Sequence, residues 1–136
     1  MSVSPILALR RAMRARLVAD ATLLSALGGA KIYDEAPRGA ESPYVLFADT
    51  RWRDWSTPES KGSEQSITLS VVSIQRGAAE ALAIGETILA LLDEAPLALD
   101  GHHLVDLRHQ ASETRREQNG RFARLDLRFR ATTEAL

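Results

Sequence analysis

The stretch "GRFARLDLRFRA", residues 120–131, decides the fold. Its odd positions Ala123, Leu125, Leu127, Phe129 and Ala131 are apolar, while Arg124, Asp126, Arg128 and Arg130 occupy the even ones. Side chains on a strand alternate between the two faces of a sheet. This period of two therefore predicts a strand with one face on a core and the other in water. Asn119-Gly120 just before it is a tight-turn pair, so the strand should pair antiparallel with the extended run from about His103 to Glu113.

Upstream, "RGAAEALAIGETILALLDEAP", residues 76–96, places Ala81, Gly85, Ile88 and Leu92 on one helical stripe flanked by Leu82 and Leu89. That spacing predicts the main core helix from about Ala78 to Glu94, ended by Pro96, with Gly85 permitting close approach to the sheet. At the start of the chain, Ser4 as N-cap and Pro5 at the first position precede Ile6, Leu9, Met13 and Leu17, a helix whose other face carries arginines. Asp20 caps a second, short helical turn through Leu23, Leu24 and Leu27, which Gly28-Gly29 stops. "KIYDEAPRGAESP", residues 31–43, reads as a short extended piece and a loop; "YVLFADT", residues 44–50, and "SITLSVVSI", residues 66–74, read as strands. "LALDGHHLVDL", residues 97–107, reads as two extended runs about the Asp100-Gly101 turn, Leu97 to Leu99 and onward from His103. Val105 and Leu107 should face the core, with His102, Asp106 and Arg108 opposite. The order α, α, β, β, α, β, β, β predicts an α+β fold: a mainly antiparallel sheet with two helices packed on one face. A length of 136 residues suits a single domain, 1–136.

Residues 51–65, "RWRDWSTPESKGSEQ", are polar and rich in turn formers, and read as a long connection or flexible hairpin tip. They hold both tryptophans. Trp52 and Trp55 either fold back onto the sheet or anchor an interface, where tryptophan is enriched.

The net charge of −1 hides segregation. Residues 1–18 are basic through Arg10, Arg11, Arg14 and Arg16, residues 115–130 carry six arginines against Glu117 and Asp126, and the middle of the chain is acidic. Such a chain can present one basic and one acidic surface, which suits head-to-tail association of identical subunits as well as it suits nucleic acid. No apolar run approaches the roughly 20 residues that a membrane-spanning helix needs, and the N-terminus lacks the order of a secretory signal, so the chain is expected to stay where it is made.

Catalytic chemistry finds little to use. The chain has no cysteine, which removes thiolate ligands, disulfides and cysteine nucleophiles. All three histidines lie in "GHHLVDLRH", residues 101–109, but on a strand His103 and His109 stand about 20 Å apart, and His102 and His103 point to opposite faces; no metal or other cofactor is expected. No G-x-S-x-G elbow or phosphate-cradling glycine loop accompanies the serines, and neither Asp34-Glu35 nor Asp93-Glu94 has a frame that would shift its titration. Arg124, Arg128 and Arg130 project from one strand face, so a DNA-binding accessory protein is the alternative reading. A charge ladder with Asp106, Glu117 or another acid explains the same residues without DNA.

Five stretches together resemble a known family: "MRARLVADATLLSALGGAKIYDEAPRGAESPYV" (13–45), "RDWST" (53–57), "ALAIGETILALLDEAPLAL" (81–99), "GHHLVDLRH" (101–109) and "ETRREQNGRFARLDLRFRATTE" (113–134). They look like the tail-completion, or tail-terminator, proteins of long-tailed phages, and more narrowly like the versions in gene transfer agents. The likeness spans about Leu7 to Glu134 and is carried by many small matches. It implies a structural subunit, not an enzyme: a small α+β protein forming a homohexameric ring on the head-proximal end of the tail tube, docking to the stopper or head-completion protein, with DNA passing through the lumen. It also implies synthesis in the bacterial cytoplasm and a place in the assembled particle, at the head-tail junction. No active-site residues carry over. The interface candidates, from charge and exposure, are Arg10, Arg14, Trp52, Trp55, Arg124, Arg128 and Arg130, with sheet-edge strands available for augmentation.

Overall fold

A computed structural model describes residues 3–74, 78–117 and 122–136. Helix α1, Pro5–Val18, begins behind Ser4, whose side chain makes no capping bond, so the start rests on Pro5 at the first turn. It buries Ala8, Leu9, Met13 and Leu17. Helix α2, Ala21–Leu27, is capped as the sequence predicts: the Asp20 carboxylate accepts from the Leu23 N–H, and Gly28 closes the end in the left-handed region at φ 80°. Strand β1, Ile32–Tyr33, is the short extended piece.

Strands β2, Tyr44–Asp54, and β3, Gly62–Ser73, form an antiparallel hairpin. Here the expected 15-residue loop is corrected. Residues 51–54 and 62–65 are ladder, pairing Arg51 with Ser66, Trp52 with Gln65, Arg53 with Glu64 and Asp54 with Ser63. Only residues 55–61 turn. Exposure hid this length from the sequence, because residues 51–59 are all exposed and no buried face imposes an alternation on them.

Helix α3, Ala79–Leu92, buries Ala81, Ile84, Gly85, Ile88 and Leu92. A Cβ at Gly85 would stand 2.3 Å from Leu125 Cδ2, so the missing side chain is what lets α3 lie against the sheet. The helix stops at Leu92, ahead of Pro96: Asp93 is already extended, and Glu94 takes a positive φ of 58°. Strands β4, His102–Glu117, and β5, Phe122–Ala135, complete the sheet. The expected strand at Leu97 to Leu99 reduces to one bridge between Leu99 and His102, since the segment spends its length returning from α3 to the sheet edge. The Asn119-Gly120 turn lies outside the described residues.

The sheet order is β1-β2-β3-β5-β4. β1 pairs parallel with β2 and the other neighbours are antiparallel, so the sheet is mixed, and three helices rather than two accompany it. β5 lies between β3 and β4, and its odd positions are buried: Leu125, Leu127, Phe129 and Ala131 join one cluster with Leu9, Met13, Ile88 and Leu92 from the helices, and Ala123 is buried as well. β4 departs from simple alternation. Register shifts between Leu104 and Asp106 and between His109 and Ala111 mark bulges that flip the strand's faces. Leu104 and Leu107 therefore turn inward, while Val105 is 43% exposed and His102 is buried, the reverse of the expectation for those last two.

Candidate assembly surfaces

The helices cover one face of the sheet. On the other, β5 presents Arg124, Asp126, Arg128 and Arg130, of which Arg124 pairs with Asp126 and Arg130 with Glu64. Asp126 Oδ1 accepts from the Ser70 hydroxyl at 2.6 Å and from Arg124 Nε at 3.0 Å, and Asp126 Oδ2 faces an Arg115 guanidinium nitrogen at 2.8 Å. Burial pushes the Asp126 carboxyl up, but the bonds from Ser70 and Arg124 and the charges of Arg124 and Arg115 outweigh it and hold its pKa below the ordinary 3.8. Glu64 on β3 is the second hub, bonded by Arg53 and by Arg130, whose Nε donates at 3.0 Å. Those two hydrogen bonds, Arg53 first, lower its pKa from the ordinary 4.5. Arg124 and Arg130 are thus committed to carboxylates, while Arg128 is exposed and forms no ion pair among the described residues. This is the charge ladder, built on acids other than those anticipated: Asp106 pairs along its own strand with Arg108 at 3.1 Å. Glu64 escaped the sequence reading because only the register of β3 against β2 and β5 brings it between two arginines.

Arg10 and Arg14 hold α1 to their own chain. An Arg10 guanidinium nitrogen lies 2.9 Å from Asp34 Oδ1, with the guanidinium 5.0 Å from the Phe47 ring centre, and Arg14 Nε donates to the Ile32 carbonyl at 3.0 Å. Neither tryptophan belongs to the core. Trp52 is 63% exposed and Trp55 38%, and Trp55 rests on Gly62, where a Cβ would come within 3.0 Å of the indole. Trp52 borders a groove of about 470 Å³ between the start of α1 and β2, lined by Ile6, Leu7, Arg10, Ala48 and Thr50; Leu7 is itself 41% exposed. Arg10 Nε is buried there without a hydrogen-bond partner among the described residues. The groove could not be read from sequence, since Leu7 and Trp52 meet only through tertiary packing.

The histidines are used separately. His102 Nε2 lies 2.6 Å from the Val3 carbonyl oxygen and His109 Nε2 lies 2.7 Å from Ser112 Oγ. Among the described residues no three His, Cys, Asp or Glu side chains converge on a point where a metal could sit. Nor does any helix among them combine the length and apolarity needed to cross a membrane.

Comparison with known proteins gives two findings. The sequence profile of a family described as "Tail completion protein gp17" matches residues 11–134. A solved chain from the "Virion of native gene transfer agent (GTA) particle" is similar throughout: TM-score 0.89 and 32% identity, covering 98% of this chain and 100% of that one. No curated protein sequence matches.

Proposed function

From its membership of the tail completion protein gp17 family, shown by the match over residues 11–134, we propose that this chain caps the head-proximal end of a tail tube as a homohexameric ring. The family role is that of a structural component of a phage-like tail, and the end-to-end likeness to a gene transfer agent virion chain is the observation that carries the reading here. In this reading the ring stops tube polymerisation, joins the tube to a stopper or head-completion protein and lets DNA pass through its lumen without reading sequence. The protein works at the head-tail junction after synthesis in the cytoplasm, as one domain with no cofactor and no catalytic step. Trp52 and Trp55 are exposed aromatic anchors for such contacts, and Arg128 is an exposed cation on the open face without an ion pair among the described residues.

The ion pairs of Arg124 and Arg130 favour this over a DNA-binding accessory protein, because a guanidinium already held by Asp126 or Glu64 has less to give a phosphate. Particles made without this protein should carry tubes of uncontrolled length and heads without tails. Normal tail lengths and full head attachment in its absence would overturn the proposal. Duplex-DNA affinity measured against salt tests the other reading, which requires a steep loss of binding as salt rises.

A further inference from the structure

Both edges of the sheet are open over half their length, and the open halves match. On β2 the outer edge pairs with β1 only at Val45 and Leu46; from Phe47 to Asp54 it has no neighbouring strand among the described residues. On β4 the first half is covered by the return from α3: Glu94 N–H donates to the Leu107 carbonyl at 2.9 Å, the His109 N–H donates to Asp93 Oδ1 at 2.9 Å, and Leu99 bridges His102. Beyond the second bulge, Ala111 to Glu117 is a regular ladder against β5 with no strand on its outer side among the described residues. A bare strand edge is a template for another strand.

Direction and charge say what fits it. β2 is antiparallel to β3, β3 to β5 and β5 to β4, so β2 and β4 run oppositely. A copy carried alongside by rotation presents its β4 antiparallel to this β2, with helices on the same side. Arg51 stands level with Ser66 and Arg130, on the open face, at the basic end of the β2 edge. Glu113 stands opposite Asp126 on the same face, a like-charge neighbour that an incoming cation relieves. Neither Arg51 nor Glu113 has an ion pair of its own among the described residues.

Resting on the ring reading above, we propose that the subunit contact is a continued sheet: β2 of one copy, Phe47 to Asp54, pairs antiparallel with β4 of the next, Ala111 to Glu117, with Arg51 opposite Glu113. In this register Trp52 lies beside Ser112 and Thr114 of the neighbour, whose small side chains leave room for the indole and face the groove bordered by Leu7. The levels of Arg51 and Glu113 differ by four residues along β5, so adjacent copies are staggered along the strands by roughly 13 Å. Stagger of this kind tilts the strands of a closed sheet, the condition under which repeated pairing returns on itself. The contact is heterologous, using a different surface on each partner.

The chain has no cysteine, so an Arg51→Cys, Glu113→Cys double variant reports this contact alone. The two sites lie on opposite edges, three strand spacings or about 14 Å across the sheet and about 13 Å apart along it, too far to join within one chain. Oxidised in assembled particles, the double variant should give a covalent ladder ending at the hexamer, and each single variant should give none. Arg51→Glu or Glu113→Arg alone should weaken self-association about tenfold, and the two together should restore it. Rings of the unaltered protein with no ladder and no effect of charge reversal would overturn this surface while leaving the ring standing. Dimers from either single cysteine variant would assign an isologous contact instead, and an unaltered protein monomeric in particles would sink the ring and this contact with it.

Discussion

Strand β5 carries two faces made of alternate residues of the same dozen positions, and they do different work. Leu125, Leu127 and Phe129 meet the helices in a core from which water is excluded, whereas Arg124, Asp126 and Arg130 look out from a face that no helix among the described residues covers. Polar groups are satisfied there by the sheet's own cross-strand partners rather than by burial under a second layer. The first face holds the fold together; the second stays open to solvent and to the sheet's own cross-strand ion pairs. Surface charge alone does not mark a binding site in this protein, because the arginines Arg124 and Arg130 are already paired with Asp126 and Glu64.

The contrast can be broken most forcefully from the covered side. Phe129→Ala should cost about 3–5 kcal/mol in denaturant unfolding, since the ring is fully buried and the cavity cannot close. Gly85→Ala should cost about 1–3 kcal/mol, because the new Cβ meets a Leu125 methyl that is itself packed on all sides. Asp126→Ala on the open face should cost less, about 1–2 kcal/mol, removing the acceptor shared by Ser70 and Arg124 and the partner of Arg115. The open face should also show in a pH titration. Asp126 and Glu64 are held below their ordinary values of 3.8 and 4.5, so the unfolded chain binds protons first on acidification. Their contribution is fully present above about pH 5 and is lost as pH falls through the folded values, and a Glu64→Gln, Asp126→Asn double variant should flatten that acid limb of the stability profile. Smallest of all, Trp52→Ala and Arg128→Ala should leave stability within about 0.5 kcal/mol, and Trp52→Ala should nevertheless impair assembly.

Burial is what makes a fold legible in sequence, and the errors follow its absence. The apolar period on β5, the stripe on α3 and the caps at Asp20 and Gly28 could all be read because each expresses one local rule under tertiary pressure. Residues 51–54 and 62–65 pair as strands without an alternating apolar face and so looked like loop. The bulges in β4 put Val105 outside and His102 inside, which no simple period foretells. Of the candidate site, the exposed tryptophans and the arginine face were visible, but Glu64, the groove beside Leu7 and the covered half of β4 exist only through long-range register. Family resemblance carried the function where no local motif could.

The most direct measurement is an electron cryo-microscopy map of the head-tail junction in purified particles. The account predicts one ring of six copies between the last layer of tail tube and the head-completion protein, with β2 of each copy running beside β4 of the next. Finding this chain elsewhere in the particle, or as a single copy at that junction, would contradict it.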